Sequence, residues 1–270
     1  MLAMRIACWQ AAAGSPDVPQ LLDRLREAAV RAAEAGAELL VAPEMTLGGY
    51  PLRPGTLAEV SEPVDGPLCA AVSVIAREAG IAIVHGWPED TGSAVYNAAR
   101  LVSPEGTTLA AYRKAHLFGE VDSSRFAPGD HGVVQADFGG LKVGLLVCYD
   151  VEFPEAVRAH ALAGTQLLVV PTALMRPWEF VARTIVPARA FESQLYVAYT
   201  NWIGERLSLD FCGLTTVAAP DGTRQTLAEP VEGLLLAEVD PAVVAKARAD
   251  TPYLHDRRPE LYEGPPARLG

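Results

Sequence analysis

Short apolar, β-branched runs recur along this chain, and helical patterns separate them. That alternation constrains the fold most, because strands spaced by helices build sheets covered by helices. Three of the runs share a second property. Glu38-Leu39-Leu40-Val41-Ala42-Pro43 leads to Glu44, Leu109-Ala110-Ala111-Tyr112-Arg113 leads to Lys114, and Leu141-Lys142-Val143-Gly144-Leu145-Leu146-Val147 leads to Cys148. A side chain at the exit of a buried strand can face a cleft while the strand beneath holds it rigidly.

The helical segments are equally legible. Between Val18 and Ala37, Leu21, Leu22, Leu25, Ala28, Ala29, Ala32 and Ala33 fall at helical spacing, with Asp23, Arg24, Glu27, Arg31 and Glu34 opposite. Pro67 to Ala79 reads as a second helix closing at Gly80, Glu155 to Ala163 as a third, and Glu179 to Glu192 as a helix interrupted near Pro187. Ala115 to Asp130 reads as a loop. Pro220-Asp221-Gly222-Thr223 is a strong turn signal. About ten strands with helices outside predict an α/β fold with two sheets packed together.

Composition narrows the function classes. The chain has 270 residues, half of them hydrophobic, which suits one large α/β domain over residues 1–270. Its net charge of −11 disfavours nucleic acid and anionic membrane surfaces as partners. No signal peptide or apolar span long enough for a bilayer is evident. The cysteines Cys8, Cys69, Cys148 and Cys212 lie far apart, and no histidine has metal-ligand spacing. This pattern predicts reduced thiols in a cytoplasm, with no structural zinc and no disulfide framework.

A carboxylate, an ammonium and a thiol can together form a cysteine nucleophile with its own base and its own cation. The ammonium lowers the thiol pKa, the carboxylate takes its proton, and the ammonium with the N–H of Tyr149 stabilises an oxyanion. Taken singly, each residue has a plainer explanation. A free cysteine in an apolar strand is more often core, Glu44 could cap a loop, and Lys114 could be a solvated strand end. Cys8, Cys69 and Cys212 sit inside strand or helix patterns and read as packing. His116 offers a rival Cys–His pair, but reads better as a positioning histidine.

At these residues the chain resembles the nitrilase, or carbon–nitrogen hydrolase, superfamily. Ala42-Pro43-Glu44-Met45 is similar to its glutamate motif, Tyr112-Arg113-Lys114-Ala115-His116-Leu117-Phe118 to its lysine motif, and Gly144 to Asp150 with Phe153-Pro154-Glu155 to its cysteine motif. The resemblance implies a four-layer α-β-β-α sandwich, assembled as a homodimer or higher oligomer. It also implies hydrolysis of a non-peptide carbon–nitrogen bond through a covalent thioester, without metal or cofactor. Glu44 would be the general base, Lys114 the stabiliser of the tetrahedral intermediate and Cys148 the nucleophile.

The resemblance also points to Glu120 as a second glutamate near the site that orients the lysine or the substrate amine. Tyr50, Tyr149, Thr172, Ala173, Trp178 and Trp202 are implied as pocket residues, each equally readable as packing. Tyr149-Asp150 stands where true nitrilases carry Trp-Glu, which tilts the expectation from nitriles toward a small carboxamide that releases ammonia. Rival readings are an N-carbamoyl amidohydrolase and a non-catalytic scaffold of the same fold. The tail from about residue 251 to 270 is expected to cross to a partner subunit or to lie on its own.

Overall fold

The computed structural model describes residues 3–14, 17–52, 55–227 and 231–262. In chain order the elements are β1 (Met4–Ala12), α1 (Val18–Glu34), β2 (Leu39–Val41), α2 (Leu57–Val60), α3 (Pro67–Ala79), β3 (Ala82–Asp90), β4 (Val95–Val102) and β5 (Thr108–Arg113). There follow α4 (Gly119–Ser123), β6 (Gln135–Phe138), β7 (Leu141–Leu145), a 3₁₀ turn (Cys148–Glu152), α5 (Pro154–Leu162), β8 (Leu167–Pro171), a π-helical turn (Val181–Ile185) and α6 (Val186–Ser193). The last part holds β9 (Tyr196–Thr200), β10 (Trp202–Arg206), β11 (Leu209–Cys212), β12 (Thr215–Ala218), β13 (Arg224–Leu227), β14 (Gly233–Val239), α7 (Pro241–Asp250), α8 (Tyr253–Asp256) and a 3₁₀ turn (Pro259–Leu261).

The strands form two mixed sheets. One has the order β11-β10-β1-β2-β3-β4-β5, with β14 also paired to β1; the other has the order β13-β12-β9-β8-β7-β6. Period-two alternation in β1 shows how the layers are made. Ile6 and Cys8 enter the core shared with the second sheet, whereas Ala7, Trp9 and Ala11 face the buried stripe of α1. Leu39 and Val41 divide from Leu40 in the same way. On the far side, α5 and α6 cover the second sheet through Val157, Ala161, Val186 and Ala190. The layers therefore run helix, sheet, sheet, helix.

Local chemistry fixes the helix ends. Asp17 accepts the Gln20 N–H while the Gln20 side chain accepts the Asp17 N–H, a reciprocal cap at the start of α1 that stabilises by about 1 kcal/mol. At the end of α3, Gly80 adopts φ 66°, a left-handed stop that costs glycine little. The helix expected to break near Pro187 has a π-helical turn just before it, with Pro187 in the first turn of α6 where it loses no hydrogen bond.

The described strands number fourteen, against the ten or so expected. The strands β10 and β13 were not anticipated, and β11 was signalled only by the strand pattern around Cys212. β11 and β13 are sheet edges, so Leu209-Asp210-Phe211-Cys212 and Arg224-Gln225-Thr226-Leu227 mix polar with apolar residues and lack the buried-strand signature. The segment from Ala115 to Asp130 holds the short helix α4. The described part of the tail makes contacts within this chain. Gln194 Nε2 donates to the carbonyls of Ala247 (2.8 Å) and Thr251, and Tyr253 meets Phe191 edge-on. Among the described residues no helix is long and apolar enough to cross a membrane.

The topology gathers strand ends at one place. β1, β2 and β3 are parallel, as are β7, β8 and β9, and β5 runs in the direction of β3 because two antiparallel steps separate them. The carboxyl ends of β2, β5, β7 and β8 thus open toward a common cleft. Gly86 in β3 sets how closely the turn after β2 approaches. A Cβ there would lie 2.4 Å from the Met45 nitrogen. Gly86→Ala should push the Glu44–Met45 turn outward, lowering stability by about 1–3 kcal/mol. Thermal melting and kcat read this together; unchanged values for both would contradict the close approach.

Candidate active site

Glu44 follows β2 and is fully buried. Its backbone is held from the other sheet and from β10. Its N–H donates to the Thr172 carbonyl at 3.3 Å, and its carbonyl accepts from Trp202 Nε1 at 2.8 Å. Trp202, readable from the sequence as pocket or as packing, is buried and tethers Glu44. The side-chain Oε1 accepts from Asn97 Nδ2 at 2.6 Å and Lys114 Nζ at 2.9 Å. Among the described residues nothing hydrogen-bonds Oε2. That oxygen is left free to accept a proton.

Lys114 leaves the end of β5 with its N–H on the Asn97 carbonyl at 2.8 Å. Its ammonium is wholly buried and donates to Glu44 Oε1 and to Asp122 Oδ2, the latter at 2.6 Å. Asp122 is also held by the Tyr50 hydroxyl at 3.0 Å and the Phe118 N–H at 3.0 Å. Burial alone would lower the Lys114 pKa, but the two carboxylates hold it well above the ordinary value.

Glu120 does not have the expected position. It is exposed on α4, and Asp122, two residues later, supplies the second carboxylate. Successive helical residues turn by about 100°, so residues two apart face nearly opposite ways and only one can reach Lys114.

Cys148 lies three residues beyond the end of β7 and opens a 3₁₀ turn with φ 48°. A non-glycine residue in that region costs roughly 1–3 kcal/mol, so its surroundings must enforce it. Asp150 does so. Its buried carboxylate accepts the N–H groups of Val147 (3.1 Å) and His116 (2.9 Å) and the Tyr112 hydroxyl (3.0 Å), and it pairs with His116 Nδ1 (2.7 Å). His116 stacks on Phe153 with centroids 3.9 Å apart. Asp150 raises the His116 pKa, chiefly through this hydrogen bond. His116 and Asp150 are therefore positioning residues behind the turn.

The Cys148 thiol is partly exposed at the cleft, with the Ala173 N–H and the Thr172 hydroxyl beside the sulfur. The expectation of a lowered thiol pKa is not met. Burial and the neighbouring Glu44 carboxylate outweigh Lys114 and push it up. The resting group is a thiol, and its proton must leave as the sulfur attacks.

Burial likewise raises the Glu44 pKa, opposed by Lys114 and reinforced by Asp122. A general base at Glu44 would work only as carboxylate, so kcat/KM should fall on the acid side with a midpoint above the ordinary 4.5. A pH–rate profile on a neutral carboxamide checks this; a limb at or below 4.5 would contradict the burial argument.

The cleft above the sulfur has a free volume of about 170 Å³ and is lined by Tyr50, Phe118, Tyr149, Glu152, Ala173, Leu174, Met175 and Trp178. Tyr50, Tyr149, Ala173 and Trp178 therefore stand in its wall, and Thr172 lies beneath it against the sulfur. Asn97, Asp122 and Glu152 are the additions that sequence reasoning missed. Among the described residues no group of three or more His, Cys, Asp or Glu side chains could hold a metal ion.

The family model described as carbon-nitrogen hydrolase matches residues 5–249. The chain belongs to the carbon–nitrogen hydrolase family. This hydrolase is 43% identical to the protein named "Hydrolase in pqqF 5'region" from Pseudomonas protegens, over 96% of this chain and 91% of that one. It is 36% identical to an (R)-stereoselective amidase from Pseudomonas sp., over 94% and 92% of the two chains. Among solved structures, an amidase from Nesterenkonia sp. AN1 matches with a TM-score of 0.85 at 36% identity, covering 97% of this chain and 96% of that one. One variant of that amidase carries the acetamide moiety of fluoroacetamide on its active-site cysteine, and another is in complex with butyramide. The carbon–nitrogen hydrolase described here is thus similar over nearly its whole length to amidases of the nitrilase superfamily.

Proposed function

We propose that the protein hydrolyses a small non-peptide carboxamide to a carboxylate and ammonia through a thioester on Cys148. The observation that carries the reading is the arrangement of Glu44, Lys114 and Cys148. A buried carboxylate with one unbonded oxygen and a buried ammonium lie under a partly exposed thiol, at the floor of a small cleft. The amides printed for the Nesterenkonia amidase, fluoroacetamide and butyramide, are of a size that suits about 170 Å³.

Each step balances. The Cys148 sulfur bonds to the amide carbon while its proton passes to Glu44 Oε2. The carbonyl oxygen becomes an oxyanion beside Lys114 Nζ and the Tyr149 N–H. Collapse breaks the C–N bond, and Glu44 returns the proton to nitrogen, which leaves as ammonia. Glu44 next takes a proton from water, whose oxygen attacks the thioester carbon. The C–S bond then breaks, the carboxylic acid is released, and the sulfur recovers its proton from Glu44. Asp122 and Asn97 hold Lys114 and Glu44 in register throughout.

A relative from Pyrococcus abyssi is named nitrilase, so the deciding panel spans carboxamides, N-carbamoyl amines and nitriles. The expected result is ammonia from carboxamides without carbon dioxide. Carbon dioxide released with ammonia from carbamoyl amines would move the assignment to carbamoyl cleavage. Faster turnover of nitriles would move it to nitrilase chemistry. Turnover of none would leave a binding protein of this fold.

A further inference from the structure

The cleft wall contains one charged side chain among the described residues, and the catalytic scheme does not use it. Glu152 closes the 3₁₀ turn that begins at Cys148 and lines the same cavity as the sulfur. It is half-buried, and its carboxylate makes no hydrogen bond or ion pair among the described residues. Arg189, the nearby cation, is engaged elsewhere. Its guanidinium donates to the Val151 carbonyl (3.2 Å) and the Glu152 carbonyl (2.8 Å) and pairs with Glu192 (2.8 Å). This clamp fixes the Glu152 backbone, while the carboxylate lines the cavity with no direct partner; burial raises its pKa, and the Lys114 and Arg189 charges, acting at a distance, oppose that rise.

We propose that Glu152 is the specificity-determining residue for the acyl chain, admitting neutral and cationic small carboxamides and excluding those that carry a carboxylate. The inference rests on the amidase reading above. In a cavity of about 170 Å³, a charge on the acyl chain of an amide seated at Cys148 cannot escape the Glu152 carboxylate. Like charges separated by a few ångströms in a partly desolvated site discriminate by about a hundredfold. Beneath the sulfur the Lys114 ammonium is already paired with two carboxylates, Glu44 and Asp122, so the net charge there is negative. An ammonium on the acyl chain would meet in Glu152 an acceptor free to bond it.

Three amides of similar length separate charge from size: pentanamide, 4-aminobutanamide and succinamate. With the wild-type protein at 0.5 M salt, kcat/KM for succinamate should lie about a hundredfold below that for pentanamide. 4-Aminobutanamide should equal or exceed pentanamide. High salt screens the overall net charge of −11, so what remains is local.

Glu152→Gln should bring succinamate to within about threefold of pentanamide, chiefly through the KM for succinamate. Succinamate turnover within threefold of pentanamide in the wild type would overturn the proposal, with no variant needed. So would a discrimination that Glu152→Gln leaves intact in a protein of unchanged circular dichroism. If pentanamide releases no ammonia, the amidase reading fails separately. Calorimetric binding of the same three amides to Cys148→Ala then still reads the charge rule: equal affinities refute it, and selective loss of succinamate binding supports it.

Discussion

Cys148→Ala is expected to reduce kcat for carboxamide hydrolysis by about a millionfold with the fold intact, because removing the nucleophile disables both halves of the reaction. The backbone at this position sharpens the test. Cys148 sits at φ 48°, a conformation that glycine adopts without strain and alanine does not. Cys148→Gly should therefore be as inactive as Cys148→Ala yet more stable than it by about 1 kcal/mol. Ammonia release and denaturant midpoints read the two effects separately. Activity within tenfold of wild type in either variant would remove Cys148 as nucleophile. Equal stability of the two would show that the surrounding structure, with Asp150 at its centre, relaxes the turn.

Lys114→Met should cost both activity and stability. Loss of the cation beside the oxyanion is expected to lower kcat by roughly a hundred- to a thousandfold. Loss of the counter-ion leaves the carboxylates of Glu44 and Asp122 buried without their ammonium, which destabilises by about 3–5 kcal/mol near neutral pH.

The sign of the pH dependence follows from Glu44. Its pKa in the folded protein is already raised, and removing Lys114 removes the attraction that opposes the rise. A group with a raised folded pKa stabilises fully below its unfolded pKa and loses that contribution as pH rises through the folded value. The stability gap between Lys114→Met and wild type should therefore widen from pH 5 to pH 8. Urea midpoints at the two pH values decide it, and a gap that narrows would mean that the buried carboxylates do not dominate the variant.

The residues that sequence reasoning located are those whose position follows from a strand end. Glu44, Lys114 and Cys148 each close a short apolar run, and chain order alone tells that β-branched residues bury there while the next polar group meets the cleft. Asp122 was hidden by Glu120, because a one-turn helix gives too few residues for a periodicity to reveal which carboxylate faces inward. Asn97 lies in the middle of β4, where a single amide among apolar residues carries no local sign that its side chain meets Glu44 from a neighbouring strand. The role of Trp202 depends on a contact across 158 positions of chain, and no pattern in its own segment records it. The helix-sheet-sheet-helix order was legible from patterning, whereas the edge strand β13 was not, since an edge needs fewer apolar residues to be stable.

The tethering of Glu44 has a consequence for how the protein comes apart. Its N–H is bound to the Thr172 carbonyl after β8 and its carbonyl to Trp202 in β10, while its side chain is bound to β4 and to the residue after β5. One residue thereby bridges both sheets. Amide hydrogens around it can exchange with solvent only when the sheets separate, so their opening free energy equals that of global unfolding. Glu44, the proposed base, is thus expected among the slowest-exchanging parts of the molecule.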